Sequence, residues 1–520
     1  MQTIDLSQSL RLSDVVAVAQ HRARVTLGPA GRVRVQAARA VVERFVAEHT
    51  VPRYGINTGF GALAEVVIAD HQIAALQTNL IVSHACGVGP ALDRQVVRAM
   101  MLLRAQVLAC GYSGVRPVII DTLCTMLDKG VHPVIPCQGS VGASGDLAPL
   151  AHLALVLIGQ GEAEFEGEVA PGADAMARAG ISVVQLQAKE GLSLINGTQA
   201  MTAIAVLALE RATRLCQTVD VAGAMTVEAQ LATDKAFDDR IVQLRPYPGA
   251  VQAASNFRQL LAGSPLVASH AGPEDHKVQD PYSIRCMPQV HGAVRDALAF
   301  VRQTLAVEIN AVTDNPLIFP SETGPDHHAA ILSGGNFHGQ PVAIACDLAR
   351  IALVSLASMA ERRIEQLVNP ALNSGLPPFL ARNSGLNSGF MIAQVTAAAL
   401  VSESKGLCMP ASIDSIPSSA NKEDHVSMGP IAARRFADVV ANAETVIAIE
   451  LLCAAQGIDQ RAPLQPAAGT GAAWRRLRQD VAVLEQDRVL YRDIHKATDL
   501  VRSGALLAAV AERLAPGCLQ

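Results

Sequence analysis

The tripeptide Ala143-Ser144-Gly145 could carry out an unusual reaction of its own backbone. The Gly145 nitrogen has no neighbouring Cβ to hinder it, so it could attack the Ala143 carbonyl carbon and close a five-membered ring. Loss of water from this ring and of the Ser144 hydroxyl would leave an exocyclic methylene group. Such a group is a strong electrophile, whereas the twenty ordinary side chains supply only nucleophiles and acids.

The same residues also fit a simpler interpretation, a tight turn before a helix that starts near Leu147. In this interpretation Asp146 is the N-cap of the helix, because a short acidic side chain can accept a hydrogen bond from a free backbone N–H. A serine-hydrolase elbow is a weaker match, since Asp146 stands where the GxSxG motif has its second glycine. Taken by itself, the tripeptide favours the turn.

Metal and nucleotide motifs are missing from the sequence. There is no HExxH, no P-loop and no GxGxxG that follows a strand. The His327-His328 pair lies in a polar segment that is rich in Gly and Pro, and the other histidines lack the spacing of metal ligands. We therefore expect neither a metal ion nor a nucleotide cofactor.

Long helices are predicted to position these residues. Apolar residues recur at helical spacing in six segments, 93–110, 197–232, 290–309, 341–368, 389–405 and 430–455. Half of the residues are hydrophobic but only 3% are aromatic, and a core of Ala, Leu, Val and Ile suits closely packed helices. We expect a mainly α fold with an N-terminal domain, 1–196, that carries the tripeptide. A long-helix bundle with C-terminal helices is expected in 197–520.

Charge and cysteine usage predict the compartment and exclude some partners. The formal net charge is −5 with scattered Lys and Arg, which predicts no nucleic-acid or membrane-surface partner. The ten cysteines form no CxxC pair, and the N-terminus does not have the pattern of a signal peptide, so we expect a cytoplasmic location. The apolar windows 147–159 and 342–359 are short or interrupted by Asp347 and Arg350, so no membrane span is predicted.

The segment around the tripeptide, Gly139-Ser-Val-Gly-Ala-Ser-Gly-Asp-Leu-Ala-Pro-Leu-Ala-His152, resembles the signature of the aromatic amino acid ammonia-lyases throughout its length. The resemblance continues in family order in YGINTGFG (54–61), NLIVSH (79–84), LINGT (194–198), VQDPYSIR (278–285), NAVTDNP (310–316), GGNFH (334–338) and SANKEDHVSM (419–428). It implies a helical fold like that of the fumarase and aspartase superfamily and a homotetramer with active sites shared between subunits. It also implies a methylidene-imidazolone (MIO) prosthetic group, which the chain forms itself from Ala143, Ser144 and Gly145.

The resemblance implies roles for residues outside the tripeptide as well. Tyr54 is the base that removes the β-proton of the substrate, and Arg285 anchors the substrate carboxylate through its guanidinium fork. Asn196 and Tyr282 line the prosthetic group, where their donors stabilise negative charge that develops on it, and Gln279 assists nearby.

Simpler alternatives remain open for three of these positions. Tyr54 could merely pack, and Arg285 could form a surface ion pair. Phe337, which the resemblance puts against the ring or the substrate, could be an ordinary core residue. A phenol serves as a base only when it is deprotonated. We therefore expect the pKa of Tyr54, ordinarily about 10, to be lowered by the electrophilic ring, helix N-termini and a nearby cation.

Two positions predict the substrate class. Histidine-type members of the family have the pair found here at Ser83-His84 and a glutamate at Glu423, where tyrosine- and phenylalanine-type members usually have glutamine. A buried carboxylate can accept the imidazole N–H but would stay unpaired against a phenyl ring. His84 either bonds the other imidazole nitrogen or satisfies a helix carbonyl.

The resemblance therefore implies non-oxidative elimination of ammonia from L-histidine to give trans-urocanate, the first step of histidine degradation. The alternative is a tyrosine or phenylalanine ammonia-lyase, or an aminomutase, on the same scaffold. One departure from the family pattern is Lys422, which stands where histidine-type members often have glutamine. A salt bridge to Glu423 would weaken the substrate contact, but adjacent side chains rarely face one another, so we expect Lys422 to point away.

Overall fold

Helices make up most of the chain in a computed structural model, which describes residues 2–48, 54–59, 61–272, 277–320, 330–514, 517 and 519. Phe60, the His327-His328 pair and Cys518 lie outside these residues. The mainly helical fold class predicted from the sequence is confirmed.

The first of two compact units consists of Met1–Leu207, Arg302–Asp347 and Pro410–Arg434. Its helices are α1 (Leu12–Ala19), α2 (Pro29–Glu48), α3 (Ile73–His84), α4 (Arg94–Ala109), α5 (Pro117–Lys129), α6 (Leu147–Leu157), α7 (Gly172–Arg178), α8 (Glu190–Ile195) and the start of α9 (Gln199–Ala229). Two single-turn 3-10 helices, Gly61–Leu63 and Asp70–Gln72, precede α3, and a third, Ser419–Asn421, lies in the last segment of the unit.

The described strands also belong to the first unit and form small sheets. They are β1 (Gln2–Asp5), β2 (Ala23–Thr26), β3 (Val88–Ala91), β4 (His132–Pro133), β5 (Pro136–Gln138), β6 (Glu162–Phe165), β7 (Glu168–Pro171), β8 (Leu317–Phe319) and β9 (Ala330–Leu332). Strands β1 and β2 pair in parallel, with Ile4 opposite Val25. The pairs β3-β5 and β8-β9 and the three-stranded sheet β4-β6-β7 are antiparallel.

The second unit consists of Ala208–Val301, Leu348–Met409 and Arg435–Gln520. Its shorter helices are α10 (Asp239–Gln243), α11 (Pro248–Leu260), α12 (Pro265–Ala268), α13 (Tyr282–Arg285), α16 (Met391–Leu407), α18 (Ala468–Asp480), α19 (Tyr491–Ser503) and α20 (Ala505–Ala511), with 3-10 turns at Lys235–Phe237 and Pro378–Leu380. Four long helices have residues in both units: α9, α14 (Met287–Glu308), α15 (Gln340–Val368) and α17 (Gly429–Gln460).

The six predicted helical segments correspond to α4, α9, α14, α15, α16 and α17, so these predictions are confirmed. Their composition explains why they pack so closely. In α17 the consecutive residues Ile447, Ala448 and Ile449 are all fully buried. Successive side chains point about 100° apart around a helix, so this part of α17 is covered on every side.

The predicted domains, 1–196 and 197–520, divide the chain once, whereas the compact units divide it several times. Segments 302–347 and 410–434 belong with the N-terminal part of the chain. The predicted boundary at residue 196 stays a prediction. The two later segments were not part of the predicted N-terminal domain, and each supplies residues to the site described below.

Helix α15 is, by length and composition, long and apolar enough to cross a membrane, and 56% of its most apolar window is buried. A buried core helix passes the same test. Its charged residues are engaged within the protein. Asp347 accepts a hydrogen bond from the Ser412 backbone at 2.8 Å, and Arg350 donates to the carbonyl oxygens of Leu407 and Met409 at 2.8 Å.

Candidate active site

The tripeptide lies in the turn between β5 and α6, at the wall of a cavity of about 630 Å³ in the first unit. Seven of the predicted site residues line this cavity: Tyr54, His84, Ala143, Ser144, Asn196, Phe337 and Glu423. Residues that are distant in sequence are therefore brought together by the segments 302–347 and 410–434. Gly145 follows directly behind Ser144 and is buried.

The backbone of the tripeptide is sharply bent. Ser144 and Gly145 have φ angles of 49° and 81°, in the left-handed region where L-residues with side chains are strained. The Ser144 carbonyl oxygen accepts a hydrogen bond from the Gly197 nitrogen at 3.2 Å, and the Gly197 oxygen accepts one from the Asp146 nitrogen at 2.7 Å. A Cβ at position 145 would overlap this Gly197 carbonyl group, so both conformation and space require glycine there.

Asp146 does not cap α6 with its side chain, which corrects the simpler interpretation of the turn. It stands at the N-cap position of α6, but its side chain makes no cap hydrogen bond there. Its Oδ2 instead accepts from the backbone nitrogens of Ala200 and Met201, at 2.8 and 2.9 Å, in the first turn of α9. Burial raises the pKa of Asp146 to about 7, against the lowering effect of these two hydrogen bonds and of Arg104.

A second segment holds the other side of the tripeptide. The Met428 nitrogen donates to the Val141 oxygen at 2.9 Å, and the Ser427 hydroxyl donates to the Gly142 oxygen at 3.4 Å. A Cβ on Gly142, whose φ angle is 79°, would collide with the Ser427 hydroxyl oxygen. The tripeptide is thus fixed between residues 196–201 and residues 427–429.

Glu423 contacts the tripeptide directly. The Ser144 hydroxyl donates to Glu423 Oε1 at 3.3 Å, and the Ser418 hydroxyl donates to Glu423 Oε2 at 2.7 Å. The intervening residues Ser419, Ala420 and Asn421 have φ angles of 51°, 51° and 70°. A left-handed turn made by three residues with side chains costs free energy, and such strain is concentrated at functional sites. This turn sets the position of the half-buried Glu423 carboxylate at the cavity.

Asn196 directly follows α8, and its side chain is held by the loop of residues 313–315. Its amide nitrogen donates to the Asn315 carbonyl oxygen at 3.2 Å and to Asp314 Oδ1 at 3.5 Å. Asp314 is fully buried and paired with Lys189 at 3.0 Å, and Lys189 also donates to the Ser193 hydroxyl at 2.9 Å. Burial lowers the pKa of Lys189, while the charge of Asp314 opposes this effect. The pair fixes the loop that orients Asn196.

The sequence interpretation missed Lys189 and Arg104, two buried residues that hold the backbone and the loop around Asn196. The Arg104 guanidinium is fully buried and donates to the Ser193 and Asn196 carbonyl oxygens at 2.8 and 3.0 Å. Burial lowers the pKa of Arg104 to about 10. Arg104 lies inside the helical pattern of α4, where an arginine normally reads as a solvent-facing residue, so no local signal identified it.

The predicted lowering of the Tyr54 pKa is wrong for this structure. Burial raises the pKa of Tyr54, and the negative charges of Glu423 and Asp314 raise it further. A hydrogen bond that the Tyr54 hydroxyl accepts from the Gly61 nitrogen, at 3.4 Å, acts in the opposite direction. Burial is the largest of these effects and disfavours a negative phenolate, so the pKa of Tyr54 is raised in spite of this donor.

His84 is the last residue of α3 and lines the cavity. Its Nδ1 lies 2.8 Å from the Leu80 carbonyl oxygen and 3.1 Å from the Ser83 hydroxyl. With a carbonyl as partner, Nδ1 carries the hydrogen, which leaves Nε2 as the acceptor. One of the two predicted roles, a bond to a helix carbonyl, is therefore present, and it leaves the second nitrogen available.

Lys422 lines the same cavity, and no ion pair joins it to Glu423 in the part of the chain that the structure describes. The expectation that its side chain points away from Glu423 stays a prediction. Two histidines that the sequence interpretation did not single out also line the cavity. The rings of His338 and His425 are nearly parallel, with centroids 5.8 Å apart, and His338 Nε2 lies 3.2 Å from the His425 carbonyl oxygen.

The remaining predicted residues, Gln279, Tyr282 and Arg285, belong to the second unit and are not among those that line this cavity. Tyr282 and Arg285 are the two ends of α13, and the guanidinium carbon lies 4.4 Å from the tyrosine ring centroid. Tyr282 is 69% exposed, and Gln279 is also exposed. Across the described residues, no group of three His, Cys, Asp or Glu side chains is arranged to hold a metal ion.

Comparison with known proteins gives consistent matches along the chain. A family model described as aromatic amino acid lyase matches residues 10–479. The histidine ammonia-lyase of Sorangium cellulosum is 56% identical over 98% of this chain and 99% of its own length, and that of Anaeromyxobacter dehalogenans is 57% identical over 97% and 100%. Among solved structures, histidine ammonia-lyase from Trypanosoma cruzi is 41% identical, with a TM-score of 0.90, over 100% of this chain and 96% of that one. Tyrosine aminomutase from Streptomyces globisporus is 36% identical, with a TM-score of 0.92, over 100% of both chains.

Proposed function

The chain belongs to the aromatic amino acid lyase family, and from this premise we propose that the protein eliminates ammonia from L-histidine to give trans-urocanate. It is a carbon–nitrogen lyase, and we propose that it catalyses the first step of histidine degradation in the cytoplasm. The observation that carries the choice of substrate is the Glu423 carboxylate beside Ser144 in a cavity that His84 also lines.

The residues present fit an MIO group made from Ala143, Ser144 and Gly145. Gly145 has the space and the φ angle that only glycine satisfies without strain, and Ser144 is already bent. The Gly197 nitrogen donates to the Ser144 carbonyl oxygen, which would be the exocyclic carbonyl oxygen of the group. When formed, the group supplies an electrophilic carbon, which no ordinary side chain offers.

Glu423 and His84 would select the substrate ring. A neutral imidazole has one N–H, which the Glu423 carboxylate accepts in a charge-assisted hydrogen bond. His84 Nε2 is also an acceptor while Nδ1 donates to the Leu80 carbonyl oxygen, so His84 would pair with the second N–H of a protonated substrate ring. A phenyl ring in the same place would desolvate the carboxylate without a partner, at a cost of about 1–3 kcal/mol or more. The half-buried position of Glu423 supports this discrimination, because a fully exposed carboxylate would stay hydrated with either ring.

Tyr54 is proposed to take the β-proton of the substrate. Burial and two nearby carboxylates raise its pKa, so the phenol is protonated in the free protein at neutral pH. The hydrogen bond from the Gly61 nitrogen lowers the pKa and would stabilise the phenolate when it forms. The fraction of protein with a competent base therefore increases with pH.

Arg285, Tyr282 and Gln279 are proposed to complete the site of another subunit in a homotetramer. The argument is the exposure of Tyr282 and Gln279 together with the chemistry of all three side chains; Arg285 itself is partly buried. A guanidinium fork binds a carboxylate through two parallel hydrogen bonds, and the phenol and amide groups can donate to developing negative charge. Asn196, which lines the cavity, is proposed to stabilise the same charge from the first unit by turning towards it the N–H that makes the longer bond, 3.5 Å, to Asp314.

The first test is an ultraviolet assay of the purified protein with L-histidine, L-tyrosine and L-phenylalanine, which follows the conjugated acrylate product without any added cofactor. We expect turnover of histidine alone. The matched control Ser144→Ala should reduce the rate on the order of 10⁴-fold or more, because it removes the hydroxyl needed for the electrophile. Preference for tyrosine or phenylalanine would favour the alternative, a lyase or aminomutase for those substrates, and would contradict the role of Glu423.

A further inference from the structure

Helix α13 carries two of the proposed site residues, Tyr282 and Arg285, on a single helical turn. The backbone nitrogens of Ile284 and Arg285 both donate to the Pro281 carbonyl oxygen at 3.0 Å. A helix this short is not stable by itself, because the first turn fixes several residues for very few hydrogen bonds. Contacts with the rest of the second unit must therefore hold α13 in place.

A buried guanidinium supplies such a contact. Arg363 of α15 is fully buried, and its Nη1 donates to the Ser283 carbonyl oxygen inside α13 at 3.4 Å. Its Nε and Nη2 donate to the two carboxylate oxygens of Glu450 in α17, at 2.6 and 2.8 Å. Glu450 is fully buried as well, and the Thr226 hydroxyl donates to its Oε1 at 2.9 Å. The paired hydrogen bonds to Glu450 fix the plane of the guanidinium and, with it, the direction of Nη1.

A second buried side chain, His291 of α14, shares Nη1 with α13. The His291 Nε2 lies 3.4 Å from Arg363 Nη1, and the His291 Nδ1 lies 2.7 Å from Asp220 Oδ1. Burial lowers the pKa of His291 to about 4, so the ring is neutral at neutral pH. Nδ1 then donates to Asp220, and Nε2 accepts from Arg363. The two hydrogens of Nη1 thus have one acceptor each, His291 and Ser283.

The Arg363–Glu450 pair is not accounted for by stability alone. A buried ion pair is often no more stabilising than apolar residues of the same size, because both charges lose their water. We propose that Arg363 is a positioning residue: held by Glu450, it fixes the backbone of α13 so that Arg285 presents its guanidinium to the substrate carboxylate. This inference rests on the proposed function, which assigns that carboxylate to Arg285.

The test measures the KM for histidine together with hydrogen exchange of the α13 backbone, followed by mass spectrometry of the full-length protein. Arg363→Met combined with Glu450→Leu removes the donor to Ser283 and leaves no buried charge unpaired, so the fold should be kept. Exchange in residues 282–286 should become faster. KM should increase by about three- to tenfold, the effect of losing one hydrogen bond.

Arg363→Lys is a second variant, which also serves if the double replacement does not fold. Lysine keeps a positive charge beside Glu450 but lacks the planar fork that reaches Ser283 at the same time. Both measurements should therefore change in the same direction as in the double replacement.

Two controls separate positioning from a general loss of structure. Arg478→Met breaks a different ion pair of the second unit, because Arg478 donates to Asp459 and to the Val481 carbonyl oxygen, and it should change neither measurement. In an Arg285→Ala background, the Arg363 replacements should raise KM by less than about twofold, because no anchor is left to be misplaced.

Each outcome has a separate meaning. Unchanged exchange in α13 would refute the inference and leave the proposed function intact. Faster exchange with an unchanged KM, or with a KM effect that persists in full without Arg285, would show that the pair only stabilises the fold and would also refute the inference. Turnover of tyrosine or phenylalanine in place of histidine would overturn the proposed substrate alone. The same measurements would then be made with that amino acid, which has the same carboxylate.

Discussion

The cavity of the first unit and the short helix α13 of the second differ in how firmly contacts within one chain hold their predicted site residues. In the cavity, Ser144, Asn196 and Glu423 are each held by hydrogen bonds to neighbouring loops. At α13, Tyr282 is mostly exposed and its described ring contact is with Arg285, a member of the same helix. The comparison supports two of the proposals above: residues of one chain hold the tripeptide and the ring-recognition residues, and the residues proposed for the carboxylate end serve a site of another subunit.

The largest effect is expected at Tyr54, where one substitution distinguishes a catalytic role from simple packing in the cavity. Tyr54→Phe should lower kcat by about 10²–10⁴-fold, because it removes the proposed base while keeping the ring. The pKa of Tyr54 in the free protein is raised above its ordinary value of 10.0, so wild-type kcat/KM should increase by about tenfold per pH unit at most as the pH rises towards that value. The variant should lose this slope. A pH–rate profile that is equally steep in both proteins would show that Tyr54 only packs in the cavity.

The next effect concerns α13. Arg285→Ala should weaken histidine binding by about 10–100-fold, seen mainly in KM, because a charged hydrogen-bonded anchor is lost. Steady-state kinetics with histidine measures this change. An unchanged KM would show that Arg285 does not bind the substrate and that the two regions are not functionally connected.

Co-expression of two impaired variants, assayed at a histidine concentration far below the KM of the Arg285→Ala protein, extends this test to the proposed sharing of sites. Ser144→Ala and Arg285→Ala chains, combined in one assembly, should recover part of the activity if each site takes residues from two chains. The matched control combines Ser144→Ala with Tyr54→Phe. Both of these residues line one cavity of the same chain, so no recovery is expected. Recovery in neither mixture would contradict the shared site.

The smallest effect is expected at Lys422. It lines the cavity but is exposed and makes no ion pair with Glu423 in the described structure, so Lys422→Gln should change KM for histidine by no more than about threefold. Kinetics at low and high salt would detect a contribution from its charge. An increase in KM of tenfold or more would instead show that Lys422 takes part in substrate binding.

The long helices could be predicted because their periodicity and their small apolar residues are local properties, and α9 and α17 appear where the pattern placed them. The tripeptide and most cavity residues could also be named, since family motifs mark them in order along the chain. The alternative interpretation of the tripeptide as a turn predicts that the Asp146 side chain caps α6, but in the structure it bonds the first turn of α9. A side-chain acceptor bonds whichever free N–H groups lie nearest, and the first turn of α9 comes close only in the folded chain.

What the sequence by itself determined was therefore the helical class, the tripeptide that is proposed to cyclise and the identity of most of the residues that line its cavity. Only the tertiary structure decided the direction of the Tyr54 pKa shift, the support of Asn196 by the buried Lys189–Asp314 pair, and the contact of Glu423 with Ser144. The reason is physical. Burial and charge–charge effects depend on distances between residues far apart in the chain, and these distances do not exist until the segments 302–347 and 410–434 pack with the N-terminal part.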